Sequence, residues 1–205
     1  AAGRMTVRPP GAPHEARTGA ARPATSTAEA VMMASSPRPE IFIGLGANLP
    51  SPRHGTPRAA CETALRLVAE AGVRVVRRSR WYESAPVPPS DQPWYVNGVA
   101  EVETALDPSG LLLVLKSVES RMERDRAARN APRIIDLDLL AYGEMVADGA
   151  GGGPILPHPR LSERAFVLLP LRELAPAWRH PATGWPLDRL IGALPPGQVL
   201  RPLAG

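Results

Sequence analysis

The chain of 205 residues carries a formal net charge of +4, and 44% of its residues are hydrophobic and 21% charged. These values are typical of a globular protein with room for a sizeable core. No apolar run approaches the length that a transmembrane helix needs, and the single cysteine, Cys61, excludes an intrachain disulfide.

The positive charge is concentrated in the segment 1–39, which holds five arginines and two glutamates, a balance of +3. The rest of the chain is close to neutral and has no broad basic face, so we expect no nucleic-acid partner. Because the segment lacks aromatic residues, we expect a disordered tail there and one domain at 40–205. An organellar transit peptide, or a natural start at Met32 or Met33, is an alternative explanation of this segment.

The domain opens with a pattern typical of a strand followed by a helix. Residues 40–46 are an apolar run that predicts a buried strand, with a turn at 46–48. Thr56 predicts the start of a helix, because its side chain can cap the first turn and Pro57 fits the first helical position. Gly72 predicts the end of this helix.

Two alternating segments and a second helix follow. Residues 73–82 and 95–104 predict strands, and a proline-rich loop at 83–93 separates them. Asp107 precedes Pro108 and predicts a second helix, with apolar residues at helical spacing. These residues are Leu111, Leu112, Leu115, Val118 and Met122.

The last part of the domain predicts an arginine-rich loop at 124–133, a strand around Asp136 and Asp138, and a hairpin turn at 143–144. A glycine loop at 148–153, a helix from Leu161 to Leu174 and a proline-rich tail complete the chain. The order β-α-β-β-α-β favours an α+β fold: a ferredoxin-like antiparallel sheet with helices packed on its faces, in three αβα layers.

The segment 131–140 is the most informative part of the sequence, because it places Asp136 and Asp138 two residues apart in an apolar run. In a strand, both carboxylates project from one face, with their Cα atoms roughly 6.6 Å apart. A D-x-D triplet by itself is more often a solvated strand face, but the apolar flanks argue against a surface loop. Mg²⁺ would relieve the repulsion between the two carboxylates, and Arg133 could bind phosphate beside it.

A second group of residues suits a flat heterocycle. Tyr95 and Asn97 share one face of their predicted strand, so a ring could stack on the tyrosine while the amide bonds to its edge. Phe166 could cover the opposite side of the ring. Each residue alone is more often structural, and only their conjunction with the acidic pair favours a binding site.

These motifs, in this order, resemble the hydroxymethyldihydropterin pyrophosphokinases of folate biosynthesis. The resemblance extends from about Ile41 to Pro176 and includes the segments 43–49, 91–97, 124–140, 156–159 and 164–166. It implies transfer of the β,γ-diphosphate of ATP to 6-hydroxymethyl-7,8-dihydropterin, with AMP as the leaving group. The sequence departs from the family pattern at Asn130 and Pro159, where the family often has aromatic residues. It also departs in the segment 148–153, which ends at Gly153 and is mostly glycine, since the family often has a basic residue a few positions before His158.

The resemblance also implies residue roles. Asp136 and Asp138 would hold two Mg²⁺ ions on ATP, and Arg124 and Arg133 would complete the catalytic set. The residues implied in ATP binding are Glu119, Arg126, Arg133, Leu139, His158 and Arg164. The residues implied in pterin binding are Ser84, Ala85, Pro86, Val87, Tyr95, Asn97 and Phe166.

We expect a cytoplasmic monomer that acts on small molecules and has no membrane partner. Two alternatives stay open at this point. A non-catalytic protein that binds a pterin or a nucleotide would keep the same pocket. Another Mg²⁺-dependent transferase with a D-x-D motif would instead require a parallel α/β sheet. The sequence does not contain the repeated βαβ units that are typical of such a sheet.

Overall fold

A computed structural model describes residues 39–123 and 134–204 of the chain. The predicted N-terminal tail, up to residue 38, and the arginine-rich loop at 124–133 lie outside the described residues. Nothing in the structure therefore tests these two predictions.

The described residues form eight strands and four α-helices. The strands are β1 (Ile41–Ala47), β2 (Arg74–Arg78), β3 (Tyr82–Ser84), β4 (Tyr95–Glu103), β5 (Asp136–Tyr142), β6 (Ala147–Asp148), β7 (Ile155–Leu156) and β8 (Leu200–Pro202). The helices are α1 (Pro57–Glu70), α2 (Pro108–Glu123), α3 (Ala165–Leu174) and α4 (Leu187–Gly192).

Six strands form one sheet in the order β5-β1-β4-β3-β8, and β2 also pairs with β4. All the pairings described within it are antiparallel. The four strands β5, β1, β4 and β2, with α1 and α2 as crossovers, have the ferredoxin-like arrangement. The predicted fold class is confirmed, and β3 and β8 extend the sheet beyond β4.

The sheet separates two hydrophobic cores, because successive side chains of a strand point to opposite faces. Ile41, Ile43 and Leu45 of β1 pack with α1 and α2 on one face. Phe42 packs with α3 and α4 on the other. This alternation produces the predicted three layers. Other residues of β1, β4 and β5 project from the face of the sheet that α3 covers.

The first helix begins where the sequence predicts. The Thr56 hydroxyl accepts the N–H of Ala59 at 3.3 Å, and Pro57 occupies the first helical position. The helix ends at Glu70, and Gly72 follows with a φ of +87°, which a residue with a side chain rarely adopts.

The predicted strand at 73–82 is wrong in its extent, since the chain forms β2 and β3 there with a break between them. The pairing of β2 with β4 shifts register between Val75 and Arg77. Beyond β2 the Ser79 hydroxyl accepts the backbone N–H of Val99 at 3.1 Å. A side chain therefore takes the hydrogen bond of β4 that the backbone carbonyl of a neighbouring strand would otherwise accept. The first two residues of the predicted proline-rich loop belong to β3.

Two predicted turns also differ from the structure. Strand β1 continues to Ala47, so the chain does not turn at 46–48. A turn does form at 143–144, with the N–H of Met145 bonded to the carbonyl of Tyr142 at 3.1 Å, but β6 pairs with β7 and not with β5. The predicted glycine loop includes a short 3-10 helix, Ala150–Gly152.

The C-terminal third contains more secondary structure than the sequence predicts. The predicted helix at 161–174 is a 3-10 turn, Leu161–Glu163, and then α3, with the extended backbone of Arg164 between them. The proline-rich tail supplies α4 and β8. Strand β8 tolerates Pro202 because it is the last strand in the order of the sheet, where an N–H donor is not needed on the outer side.

The substitution Gly98→Ala should lower the free energy of unfolding by about 1–3 kcal/mol, because overpacking a rigid core forces its neighbours to move. A Cβ at this position would lie 2.7 Å from Cε3 and Cζ3 of the buried Trp81. Chemical denaturation measures the change. Gly192→Ala is the control, since a Cβ there meets nothing within 4 Å. Equal stability of the two variants would contradict the packing of Trp81 on β4.

Candidate active site

Polar residues of three neighbouring strands converge on the α3 face of the sheet. Gly46 of β1 lies opposite Asn97 of β4 on one side and opposite Asp136 of β5 on the other. Gly44 likewise lies opposite Asp138. The amide and the two carboxylates therefore surround two positions that carry no side chain, and we call this group of five residues the site face.

Both glycines lie close to the side chains of their neighbours. A Cβ at position 46 would lie 3.1 Å from Oδ1 of Asn97, and one at position 44 would lie 3.3 Å from Cδ2 of Leu140. Side chains on β1 would fill the room between the acidic pair and the amide. Glycine keeps this room available for a ligand.

The acidic pair has the predicted orientation. Leu137 and Leu139 are buried in the core beneath α1 and α2. Asp136 and Asp138 face the other way and are partly exposed, with 32% of the Asp138 side chain accessible. Between them, the backbone N–H of Leu137 donates to Oε1 of Glu119 at 2.7 Å, so α2 holds this part of β5 in place.

Two basic side chains approach the acidic pair from the segment before α3. Nε2 of His158 lies 3.7 Å from Oδ1 of Asp138, and Nη1 of Arg164 lies 3.6 Å from its Oδ2. The N–H of His158 donates to the carbonyl of Leu140 at 2.8 Å, which fixes this segment beside β5. The structure thus brings together two residues that the sequence implies in ATP binding.

His158 is well placed to donate a hydrogen bond in its neutral form. Burial lowers the pKa of its imidazole, although the charge of Asp138 opposes this shift. Nδ1 accepts the backbone N–H of Arg160 at 3.2 Å, so the neutral ring carries its proton on Nε2. That proton faces the carboxylate, and it can equally be donated to a phosphate oxygen.

The Asn97 side chain is fixed in a buried position on the other side of the site face. It is 3% exposed, and its Nδ2 donates to Oγ of Ser84 at 2.8 Å. The second N–H of the amide and its Oδ1 are the atoms with which it could bond to the edge of a heterocycle.

Tyr95 is held by two residues whose part in the site the sequence analysis missed. Its hydroxyl donates to Oε1 of Gln92 at 2.9 Å, and Nδ2 of the buried Asn48 donates to the same oxygen at 3.2 Å. Asn48 also donates to the carbonyl of Pro93 at 3.4 Å. A polar residue directly after a glycine-containing strand is the sequence signal that could have indicated this network.

The remaining residues implied in pterin binding are Phe166, on α3, and the three residues that follow Ser84 in the chain. Phe166 is in the first turn of α3, which packs against β4, and the guanidinium carbon of Arg164 lies 5.3 Å from the centre of its ring. Ala85 and Pro86 follow β3 and are half-buried, whereas Val87 is 46% exposed.

Leu139 does not contribute its side chain to the site. It is 3% exposed and lies in the core on the opposite face of the sheet, so only its backbone could touch ATP. Arg124, Arg126 and Arg133 lie outside the described residues, and their predicted roles stay predictions.

The donor set of the acidic pair fits Mg²⁺. No group of three or more His, Cys, Asp or Glu side chains that could hold a metal occurs among the described residues. Two carboxylates on one face match a Mg²⁺ site in which phosphate and water supply the other ligands.

An open cavity bordered by Pro39, Arg74 and Thr104 contains none of the residues of the site face.

A family model described as 7,8-dihydro-6-hydroxymethylpterin-pyrophosphokinase matches residues 42–176. The chain belongs to this family. A 2-amino-4-hydroxy-6-hydroxymethyldihydropteridine pyrophosphokinase of Methylorubrum extorquens is 42% identical over 66% of this chain and 82% of its own length. An enzyme of the same name from Pseudomonas aeruginosa is 41% identical over 76% of this chain and 91% of its own.

A solved structure supports the fold independently of sequence. The HPPK-DHPS protein of Plasmodium falciparum aligns with a TM-score of 0.51 at 15% identity, over 75% of this chain and 42% of its own. None of the helices in the described residues has both the length and the apolar character to cross a membrane. As a member of the family, the chain is a pyrophosphokinase of folate biosynthesis that transfers diphosphate from ATP to hydroxymethyldihydropterin.

Replacing Ser84 by Ala should lower the free energy of unfolding by about 1–3 kcal/mol, because the buried amide of Asn97 would lose its acceptor. Denaturation of purified protein measures this change. Ser117→Ala, on an exposed position of α2, is the matched control and should stay within about 0.5 kcal/mol of wild type. Identical stability of both variants would show that the Asn97–Ser84 bond contributes nothing.

Proposed function

We propose that the site face and the residues around it carry out the diphosphate transfer. The observation that carries this proposal is the single row Asn97–Gly46–Asp136 across β4, β1 and β5. It places an amide that can bond to the edge of a heterocycle beside a carboxylate that can hold a metal-bound phosphate, with no side chain between them. A reaction that transfers diphosphate from a nucleotide to a pterin alcohol needs this proximity.

Asp136 and Asp138 would hold Mg²⁺, with two ions expected from the family resemblance. When bound, Mg²⁺ neutralises the phosphate oxygens and stabilises the charge that develops during transfer. The partial exposure of both carboxylates supports this role, because the ions must also contact the triphosphate and water.

His158 and Arg164 would bind the phosphates of ATP. Both lie within 4 Å of Asp138, so an ATP held by the acidic pair would come within their reach. The guanidinium group of Arg164 can bind phosphate oxygens in a bidentate manner, and His158 can donate through Nε2. Glu119 would act from the other side by fixing the backbone of Leu137. Arg124, Arg126 and Arg133 would contribute the remaining positive charge.

The pterin ring would bind between Tyr95 and Phe166, with its edge bonded to Asn97. Ser84 supports this arrangement by fixing the amide, and Ala85, Pro86 and Val87 would border the ring. With the ring there, its hydroxymethyl group would point across Gly46 towards the acidic pair. The hydroxyl oxygen would then attack the β-phosphorus in line and give up its proton to water. The bond from the β-phosphorus to the α–β bridging oxygen would break, and AMP would leave with that oxygen.

Two alternative functions are less well supported. A D-x-D nucleotide transferase with a parallel sheet does not fit, because all strand pairings within the described residues are antiparallel. A non-catalytic pterin- or nucleotide-binding protein is less well supported, because the family and the relatives that the chain matches are described as pyrophosphokinases. We also propose that the protein acts as a monomer in the cytoplasm.

The substitution Asp138→Asn should reduce turnover on the order of 10³-fold, because it removes one of the charges that hold the metal-bound phosphates. Release of AMP at saturating ATP, Mg²⁺ and pterin measures this effect. Asp188→Asn is the matched control, since the side chain of Asp188 is 85% exposed on α4. If D138N turned over like wild type, the proposed metal site would be wrong.

Phe166→Ala should raise the KM for the pterin roughly 10-fold through loss of stacking, with little change in the KM for ATP. Trp185→Ala is a suitable control, because Trp185 is also a partly buried ring beneath an arginine, with Arg189 at 3.7 Å from its centre. Steady-state kinetics with each substrate varied separately gives the KM for the pterin and the KM for ATP of each variant. An equal effect of both variants on pterin KM would rule out stacking on Phe166.

A further inference from the structure

The part of the chain that follows the family match returns to the site. The match ends at residue 176, and the segment Gln198–Pro202 lies beyond it. This segment, which we call the C-terminal strap, includes β8 and pairs with β3 through Ser84 and Leu200. It therefore continues the sheet beside the strand that supports Asn97.

One side of the strap contacts both ends of the loop at 85–94, which borders the proposed pterin pocket. The guanidinium of Arg201 lies 2.8 Å from Oε2 of Glu83, just before the loop, and 4.7 Å from the ring centre of Trp94 at its end. The carbonyl of Val199 accepts the N–H of Ala85 at 3.2 Å. The loop is thus anchored at both ends by the same segment.

The other side of the strap contacts the beginning of α3. Oε1 of Gln198 accepts the N–H of Ala165 at 2.9 Å, and its Nε2 donates to the carbonyl of Glu163 at 2.8 Å. Ala165 is the first residue of the helix, and its N–H has no partner within the helix. A side chain from the strap thus holds the two residues on either side of Arg164, directly before Phe166.

Stability alone does not explain the arginine contact. The side chains of Arg201 and Glu83 are 64% and 29% exposed, and such surface ion pairs contribute little to the free energy of folding. The position of the contact is more informative, because Arg201 lies opposite Glu83 in the sheet and holds both ends of the loop that borders the proposed pterin pocket.

We propose that Gln198 and Arg201 are positioning residues that fix the distance between Phe166 and Tyr95, the two aromatic walls of the pterin pocket. This inference rests on the proposed function of the site. A flat ring gains from two stacking partners only when their separation matches its thickness. Gln198 also bonds to the backbone on either side of Arg164, so we expect a large loss of affinity for the heterocycle and a smaller one for ATP.

The experiment compares Gln198→Met and Arg201→Met with wild type. Both substitutions keep side-chain length and remove the polar contacts. Arg74→Met is the matched control: Arg74 also forms a cross-strand pair with a glutamate, Glu103, and the two side chains are 62% and 25% exposed. Arg201→Lys keeps the charge that pairs with Glu83 and loses the planar group over Trp94.

Two readouts are measured. Calorimetry with 6-hydroxymethyl-7,8-dihydropterin in the presence of Mg²⁺ and α,β-methylene-ATP, whose α–β bridge cannot be broken, gives the Kd of the pterin without turnover. We expect Q198M and R201M to weaken it by about 5- to 10-fold, R201K by less, and R74M not at all. Hydrogen exchange without any substrate should show faster exchange of the Ala165 amide in Q198M and of the Ala85 amide in R201M.

The possible results separate this inference from the function on which it rests. Wild-type protein that releases AMP, with unchanged pterin Kd in Q198M and R201M, would overturn the positioning role and leave the function intact. An equal loss of affinity for α,β-methylene-ATP and pterin would also overturn it, since that is the result of general destabilisation. Wild-type protein that neither binds nor consumes the pterin would overturn the proposed function and the inference with it.

Discussion

The absence of side chains at Gly44 and Gly46 is the constraint on which the site depends. These residues lie in the strand between β4 and β5, so whatever they carried would stand between Asn97 and the acidic pair. A Cβ at position 46 would lie 3.1 Å from Oδ1 of Asn97, so the buried amide would have to move to accept a side chain there. In the proposed arrangement, a nucleotide and a heterocycle meet over β1, where the strand carries no side chains.

The rest of the architecture holds the strands on either side of that surface in position. Alternation along β5 commits Leu137 and Leu139 to one core and leaves both aspartates on the other face. The α3 face in turn carries a second core, which brings His158 and Arg164 close to Asp138. The same packing that stabilises the sheet therefore also brings two basic side chains within 4 Å of Asp138.

The sequence predicted those features of the fold and the site that depend on the local pattern of residue types. The shared orientation of Asp136 and Asp138 follows from their spacing in an apolar strand, and the cap at Thr56 follows from the residue types around it. The contribution of Gly46 could not be predicted in this way. It depends on the register of β1 with both β4 and β5, and register arises from pairing between distant segments.

The errors in secondary structure have similar physical causes. Ser79 bonds to the backbone of β4 and interrupts a pattern that reads as one strand. Prolines made the C-terminal segment look unstructured, yet β8 forms because β3 leaves it an edge to pair with. The network of Asn48, Gln92 and Tyr95 joins residues more than forty positions apart in sequence. No local pattern contains such information.

The identity of the nucleotide product tests the central claim most directly, because it shows which phosphorus the pterin hydroxyl attacks. Phosphorus NMR of a reaction with ATP, Mg²⁺, 6-hydroxymethyl-7,8-dihydropterin and purified protein resolves AMP from ADP and the pterin diphosphate from a monophosphate. The account predicts AMP and the pterin diphosphate in equal amounts, and neither without the pterin. Formation of ADP, or AMP release that does not depend on the pterin, would contradict it.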